Sequence, residues 1–157
     1  MNFSFENFLS LFSGLLTPLI AIITIYIAWR QWKTSQDKLT LEKYDRRLQI
    51  YKEVAKILTK ILRDADISYE DLAVFRTSVF EADFVFEPEI VEFIDEIYRR
   101  GVALHSWNEQ YARARRIEVP DYDHQNVVDG MHEELVWLTN QLEPLKGKFM
   151  KYMKLGK

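Results

Sequence analysis

The sequence predicts an all-α protein in which an N-terminal transmembrane helix continues into a cytosolic bundle of about four helices. Three observations carry this prediction. Residues 8–29 hold no charged side chain, apolar residues recur three and four positions apart along much of the remainder, and the 157 residues include only five Gly and four Pro. A chain so poor in turn-forming residues favours long helices over a loop-rich β fold. The predicted organisation is a short extracytoplasmic N-terminus at 1–7, a transmembrane helix at 8–29 and a cytosolic helical bundle at 30–157.

Composition excludes several classes of function. The chain has no cysteine, so it has no disulfide, no thiol nucleophile and no cysteine-based zinc site. A formal net charge of −3 does not suit a dedicated nucleic-acid-binding domain, and no DNA partner is predicted. There is no Gly-rich phosphate loop and no HExxH motif. No cofactor and no metal are therefore predicted, and these absences favour a non-catalytic protein over an enzyme.

The charge-free stretch has the length and flanks of an uncleaved membrane anchor. As a helix it is about 33 Å long, against a hydrocarbon core of about 30 Å. The first charge is Glu6, and no Lys or Arg precedes Arg30, whereas a secretory signal begins with positive charge. Basic residues follow the stretch at Arg30, Lys33 and Lys38. The positive-inside rule then predicts a bacterial inner-membrane protein with its N-terminus outside, its C-terminal domain in the cytoplasm and membrane lipid as a partner.

Small and weakly polar residues form a seam along this stretch. They recur at spacings of four and three: Ser10, Gly14, Thr17, Ala21, Thr24 and Ala28. Such seams let helices approach closely, so the pattern predicts a homo-oligomer. The spacing fits packing residues and pore-lining residues equally well, and both interpretations stay open.

The helical pattern continues beyond the basic residues. An apolar stripe runs through Leu41, Tyr44, Leu48, Tyr51, Ala55, Leu58 and Leu62. No Gly or Pro lies between Trp29 and Ile67. The anchor and the first cytosolic helix are therefore predicted to be one continuous helix.

Two further helices are predicted from their start signals, and a last one from its periodicity. Ser68 to Asp71 resembles a capping box and starts a helix that runs to about Ala82. Glu87-Pro88 starts another, which fades near Arg115 and is followed by a loop at 115–126. Its inward residues are predicted to be Ile90, Ile94, Ile97, Gly101, Leu104 and Tyr111.

The last helix has the most regular apolar seam in the chain. Its residues recur three and four apart: Val128, Met131, Leu135, Leu138, Leu142, Leu145, Phe149 and Tyr152. Pro144 lies inside the seam and is predicted to kink the helix or end its regular part.

Two groups of residues suggest chemistry. Asp121, Asp123, His124, Asp129 and His132 lie close in sequence, but their spacing fits a polar loop and a helix cap at Asp123 or Asn126 better than a metal site. Arg100 and His105 have the R-x4-H spacing of HEPN ribonucleases, in which Arg stabilises phosphate charge and His transfers protons. The alternative for the arginines is surface pairing, as Asp95–Arg99 and Glu96–Arg100.

Two resemblances follow from these segments. The run IYIAWRQWKTSQDKLTLEKYDRRLQIYKEV and, more weakly, FEPEIVEFIDEIYRR resemble small bacterial single-pass membrane proteins of unknown function. The layout together with Arg100 and His105 is similar to the membrane accessory proteins of type VI-B CRISPR systems. That resemblance implies a divergent HEPN-type motif, assembly into a membrane pore, an RNA or RNA-guided effector partner and a role in phage defence.

Three functions therefore remain open from the sequence. The first is an oligomeric, membrane-perturbing or pore-forming accessory protein in phage defence. The second is a membrane-tethered HEPN-type ribonuclease that uses Arg100 and His105. The third is a non-catalytic membrane-anchored adaptor.

Overall fold

A computed structural model describes residues 5–117 and 120–154, with side chains described from Leu16 onwards, except Thr17. Within these ranges every regular element is a helix, so the all-α class is confirmed. The order is α1 (Phe5–Asp64), α2 (Tyr69–Ser78), α3 (Ala82–Val85), α4 (Pro88–Ala114), α5 (His124–Asn140) and α6 (Leu142–Met150). The chain divides into two compact units, Met1–Glu42 and Lys43–Lys157.

The first unit contains the N-terminal part of α1, and here one prediction is wrong. Among the residues that the structure describes, no helix is long and apolar enough to cross a membrane. This finding overturns the transmembrane helix at 8–29 and, with it, the single-pass inner-membrane location.

The predicted small-residue seam lies in this part of α1. The side chains of Ser10, Gly14 and Thr17 fall outside the described residues, whereas Ala21, Thr24 and Ala28 are exposed. The Thr24 hydroxyl donates a hydrogen bond to the carbonyl of Ile20 at 2.8 Å. The hydroxyl proton of Thr24 is therefore already used in a hydrogen bond within its own helix. The hydroxyl oxygen can still accept a hydrogen bond from a neighbouring helix.

The second unit is built around one apolar core to which every helix contributes. The prediction of one continuous first helix is confirmed, because α1 runs from Phe5 to Asp64. The buried face of its C-terminal part differs from the predicted stripe, since Leu41 and Leu62 are exposed. Leu58 is buried as predicted, and Tyr51 and Ala55 pack partly buried against the core. The residues that enter the core from outside the predicted stripe are Ile50, Val54, Ile57 and Ile61. Each of these four residues directly precedes a residue of the predicted stripe, so the buried face extends to one side of that stripe.

The connection from α1 to α2 is fixed by local hydrogen bonds. Ala65 ends α1 with a φ of 52°, a left-handed conformation typical of a helix C-terminus. Ser68 and Asp71 form the predicted capping box, with the Asp71 amide donating to the Ser68 hydroxyl at 3.1 Å. That hydroxyl also donates to the carboxylate of Asp71 and lowers its pKa.

The second predicted helix, which was expected to run to about Ala82, is shorter in the structure and is followed by a separate short helix. α2 ends at Ser78, and the short α3 covers Ala82–Val85. Ala82 at the start of α3 and its C-cap residue Phe86 are both buried. α4 then begins with Pro88 in its first turn after Glu87, as predicted.

The last two helices form where one helix was predicted. α5 ends at Asn140 and α6 begins at Leu142, close to Pro144, whose ring clashes with the carbonyl four residues earlier and so favours a break. The N-cap of α5 is Asp123, which accepts from the amide of Asn126 at 3.0 Å. At the start of the predicted seam Val127 is buried in place of Val128.

Candidate functional site

Arg100 lies on α4 and is held by α5. Its Nε donates to Glu96 at 2.7 Å and its Nη1 donates to Glu134 at 3.0 Å. The guanidinium also lies over the ring of Trp137, 4.6 Å from the centroid. These bonds, chiefly the one to Glu96, raise the pKa of Arg100 above its ordinary value. Two carboxylates and an aromatic face therefore already engage the guanidinium, and a phosphate would have to compete with them.

His105 lies further along α4 and faces a different helix. Its imidazole packs edge-on against the ring of Tyr69 in α2, with centroids 4.1 Å apart. Its Nδ1 is buried and has no hydrogen-bond partner among the described residues. Gly101 allows α2 and α4 to approach closely, since a Cβ atom at this position would lie only 2.7 Å from Leu72 Cδ2.

The structure does not bring Arg100 and His105 to one reactant. Positions five apart on a helix differ by about 140° around its axis. Arg100 accordingly contacts α5, while His105 contacts α2. Among the described residues the two side chains share no contact, and the ribonuclease stays a prediction.

The predicted surface pairs of α4 are present in part. Glu96 pairs with Arg100 as expected, and it also pairs with Arg99. Asp95 is instead paired with Arg76 of α2. The acidic face of α4 thus connects neighbouring helices as well as pairing within its own helix.

Three of the five acidic and histidine residues near α5 make local contacts. Asp123 caps the helix, His124 Nδ1 lies 3.3 Å from the Tyr122 hydroxyl, and Asp129 accepts from Gln125 at 2.8 Å. In the described ranges no group of three or more such residues is arranged to hold a metal ion.

Arg47 connects three distant segments, which the sequence alone did not predict. Its Nε donates to the carbonyl of Val85 at 2.8 Å and its Nη1 to the carbonyl of Tyr152 at 2.7 Å. Its guanidinium also lies 5.8 Å from the ring centroid of Phe86. In the sequence Arg47 follows a second arginine, Arg46, and no local pattern indicates that its side chain bonds two carbonyl groups.

The most unusual surface of the chain is the exposed apolar part of α1, which we call the apolar segment (residues 16–32, without Thr17). Its large apolar side chains are all exposed, up to 69% for Ile25. At about 100° per residue, Ile22, Ile23 and Ile25 point in three different directions. Monomeric proteins rarely expose a continuous apolar area of this kind, and such areas mark interaction surfaces. The exposed large residues are Leu16, Leu19, Ile20, Ile22, Ile23, Ile25, Tyr26, Ile27, Trp29 and Trp32.

Comparisons with known proteins do not add a function to this geometry. No protein family, no curated protein and no solved structure matches the chain.

Proposed function

We propose that this protein is a non-catalytic helical protein that self-associates through the apolar segment of α1. The observation that carries the proposal is the exposure of large apolar side chains on several sides of this helix. A helix that is apolar in all directions is normally buried. Within the described residues of the first unit, nothing covers it.

A homo-oligomer explains the arrangement of residues around the helix. Ala21, Thr24 and Ala28 lie within about 60° of one another around the axis, whereas the isoleucines occupy the remaining directions. Small side chains on one face permit close approach of an identical helix. The large side chains beside them supply apolar area, at roughly 25 cal/mol for each Å² removed from water.

One partner helix covers only one side of the apolar segment. Because the isoleucines point in several directions, an assembly of three or more copies buries more of them than a dimer does. A catalytic alternative has less support, because Arg100 is occupied by Glu96, Glu134 and Trp137.

The test is the oligomeric state of the full chain, measured by native mass spectrometry and sedimentation velocity over a range of concentrations. We expect the wild type to associate. Ile23→Glu places an unpaired charge in the apolar contact and is expected to weaken association at least about 10-fold.

Thr34→Glu is the matched control, because it adds the same charge to an exposed polar position of the same helix. It is expected to associate like the wild type. A wild type that stays monomeric at every concentration, or an Ile23→Glu variant that associates as tightly as the wild type, would overturn the proposal.

A further inference from the structure

The second unit carries an exposed aromatic residue on a fixed turn. Phe84 in α3 is 81% exposed. Its neighbours Ala82 and Phe86 are buried, and the Phe86 amide donates to the Ala82 carbonyl at 2.9 Å. The turn is therefore anchored at both ends, and the outward position of Phe84 is set by the fold. An exposed phenyl ring on an anchored turn is suited to insertion into an apolar pocket.

The same unit contains a pocket of matching size and chemistry. It is open to the surface and has a volume of about 150 Å³, and an apolar cavity of about that volume holds a benzene molecule. Phe149 is buried and packs edge-on against Tyr51, with centroids 5.5 Å apart. The lining residues are Leu48, Tyr51, Lys146, Phe149, Met150 and Met153.

The methionines make the pocket adaptable. Met150 is 54% exposed and Met153 is partly buried. Methionine side chains are flexible, and their sulfur atoms make favourable contacts with aromatic rings. A phenyl ring is thus better suited to this lining than a polar ligand.

Charges beside the two features are complementary. Asp83 directly precedes Phe84, and Lys146 lies among the residues that line the pocket. Neither residue belongs to a salt bridge in the part of the chain that the structure describes, whereas the nearby Glu81 is paired with Arg46 at 3.2 Å. An inserted Phe84 would bring Asp83 close to Lys146, and opposite charges favour both correct orientation and faster association.

From these observations we infer that Phe84 of one copy inserts into the Tyr51–Phe149–Met150 pocket of a second copy, with Asp83 facing Lys146. This inference rests on the proposed self-association and adds a second contact, located in the second unit. A ring on one copy and a pocket on the other form either a reciprocal dimer or a repeating head-to-tail contact.

The first experiment measures association of full-length variants by sedimentation velocity. Phe84→Ser is expected to weaken association at least about 10-fold, because the anchor of the contact is lost. Leu62→Ser is the matched control, since it removes another exposed apolar side chain of the same unit, and it is expected to leave association unchanged. Equal association of Phe84→Ser and wild type would overturn the inference.

A charge exchange tests the orientation of the contact. Asp83→Lys and Lys146→Glu are each expected to weaken association, whereas the double variant restores it because the pair is re-formed with opposite signs. The effect of each single variant should decrease as salt concentration rises. A double variant as weak as the two single variants combined would contradict the pairing.

Cross-linking identifies the occupant, because the chain has no cysteine of its own. One protein carries only Phe80→Cys and the other carries only Gly147→Cys, so that Phe84 and the pocket are both intact. Mixed and treated with a short bis-maleimide, they are expected to form a covalent heterodimer, which Phe84→Ser in the first protein abolishes. Absence of the heterodimer, or a product confined to two Phe80→Cys chains, would overturn the inference.

The two proposals fail in distinguishable ways. If Ile23→Glu is monomeric while Phe84→Ser associates like the wild type, the second contact is wrong and the α1 contact stands. If Phe84→Ser dissociates while Ile23→Glu does not, the α1 contact is wrong and the second contact stands. A monomeric wild type overturns both.

Discussion

Arg100 joins two helices through a charged contact that is largely shielded from water. Its side chain is 26% exposed and that of Glu134 is 16% exposed. At such positions an ion pair is screened less than at the surface, and loss of one partner leaves the other charge without compensation. Arg100 also covers the ring of Trp137. These contacts give the residue a structural role that accounts for its charge and its position on α4.

Arg100→Ala is therefore expected to reduce the free energy of unfolding by about 1–3 kcal/mol, between the values for exposed and buried ion pairs. Arg100→Lys should lose less, because it keeps the charge, but it cannot bond both carboxylates in the planar geometry of a guanidinium. Urea unfolding followed by circular dichroism measures both variants. An Arg100→Ala variant as stable as the wild type would show that α5 does not depend on this contact.

The same variants test the ribonuclease prediction. RNA cleavage is measured with purified wild type, Arg100→Ala and His105→Ala, each shown to be folded. Because Arg100 and His105 contact different helices, we expect no cleavage that depends on either residue. Cleavage by the wild type that both substitutions abolish would contradict this expectation and support a HEPN-type site, completed by a second copy.

Packing between α4 and α5 depends on a glycine at close range. A Cβ at Gly130 would lie 2.6 to 2.9 Å from three ring atoms of Trp107. The indole is a rigid ring that cannot shift one atom alone, so an added methyl group must separate the helices or displace the whole side chain. Gly147 on α6 has open space at the same position, with no atom within 4 Å.

The same substitution should therefore have opposite effects at these two sites. Gly130→Ala is expected to destabilise the protein by about 1–3 kcal/mol through overpacking. Gly147→Ala is expected to stabilise it by about 0.5–1 kcal/mol, because alanine loses less entropy in a helix. Thermal and urea unfolding of the two variants measure the difference. A stabilised Gly130→Ala variant would show that Trp107 repacks freely.

At the scale of the helices, the features that depend on local sequence were predicted more often than the features that depend on long-range contacts. The Ser68 capping box, the Pro88 start and the Asp123 cap each lie within a few residues of the structure they form. The buried face of α1 was predicted only in part, because two apolar stripes share that helix and only tertiary packing selects Ile50 and Val54 over Leu41 and Leu62. The short helix α3 was not predicted, because no capping side chain marks its start and the residues that hold its ends, Ala82 and Phe86, are buried by tertiary packing.

The candidate site was predictable in part for the same reason. Glu96–Arg100 is a local pair and was found from spacing. The bonds of Arg100 to Glu134 and of Arg47 to Val85 and Tyr152 join residues far apart in sequence. No periodicity encodes such contacts, so their partners were not identified from the sequence.

At the scale of the whole molecule, the two units are expected to differ in the source of their stability. The second unit has its own apolar core, with Val54, Leu58 and Ile61 fully buried. The apolar segment has no such contacts within the described part of its unit, and β-branched isoleucine is only a moderate helix former. Its helix should therefore depend on association, since helical stability in proteins comes mainly from packing of an apolar face.

Hydrogen exchange measures this difference directly. In the associated wild type, amides of residues 19–29 are expected to exchange slowly, and in Ile23→Glu they should exchange at least about 10-fold faster, because the helix has lost its packing partner. Amides of residues 50–61 should be equally protected in both proteins, which makes the second unit an internal control. Equal protection of residues 19–29 in both proteins would show that α1 is stable without a partner, and the apolar segment would then need another explanation.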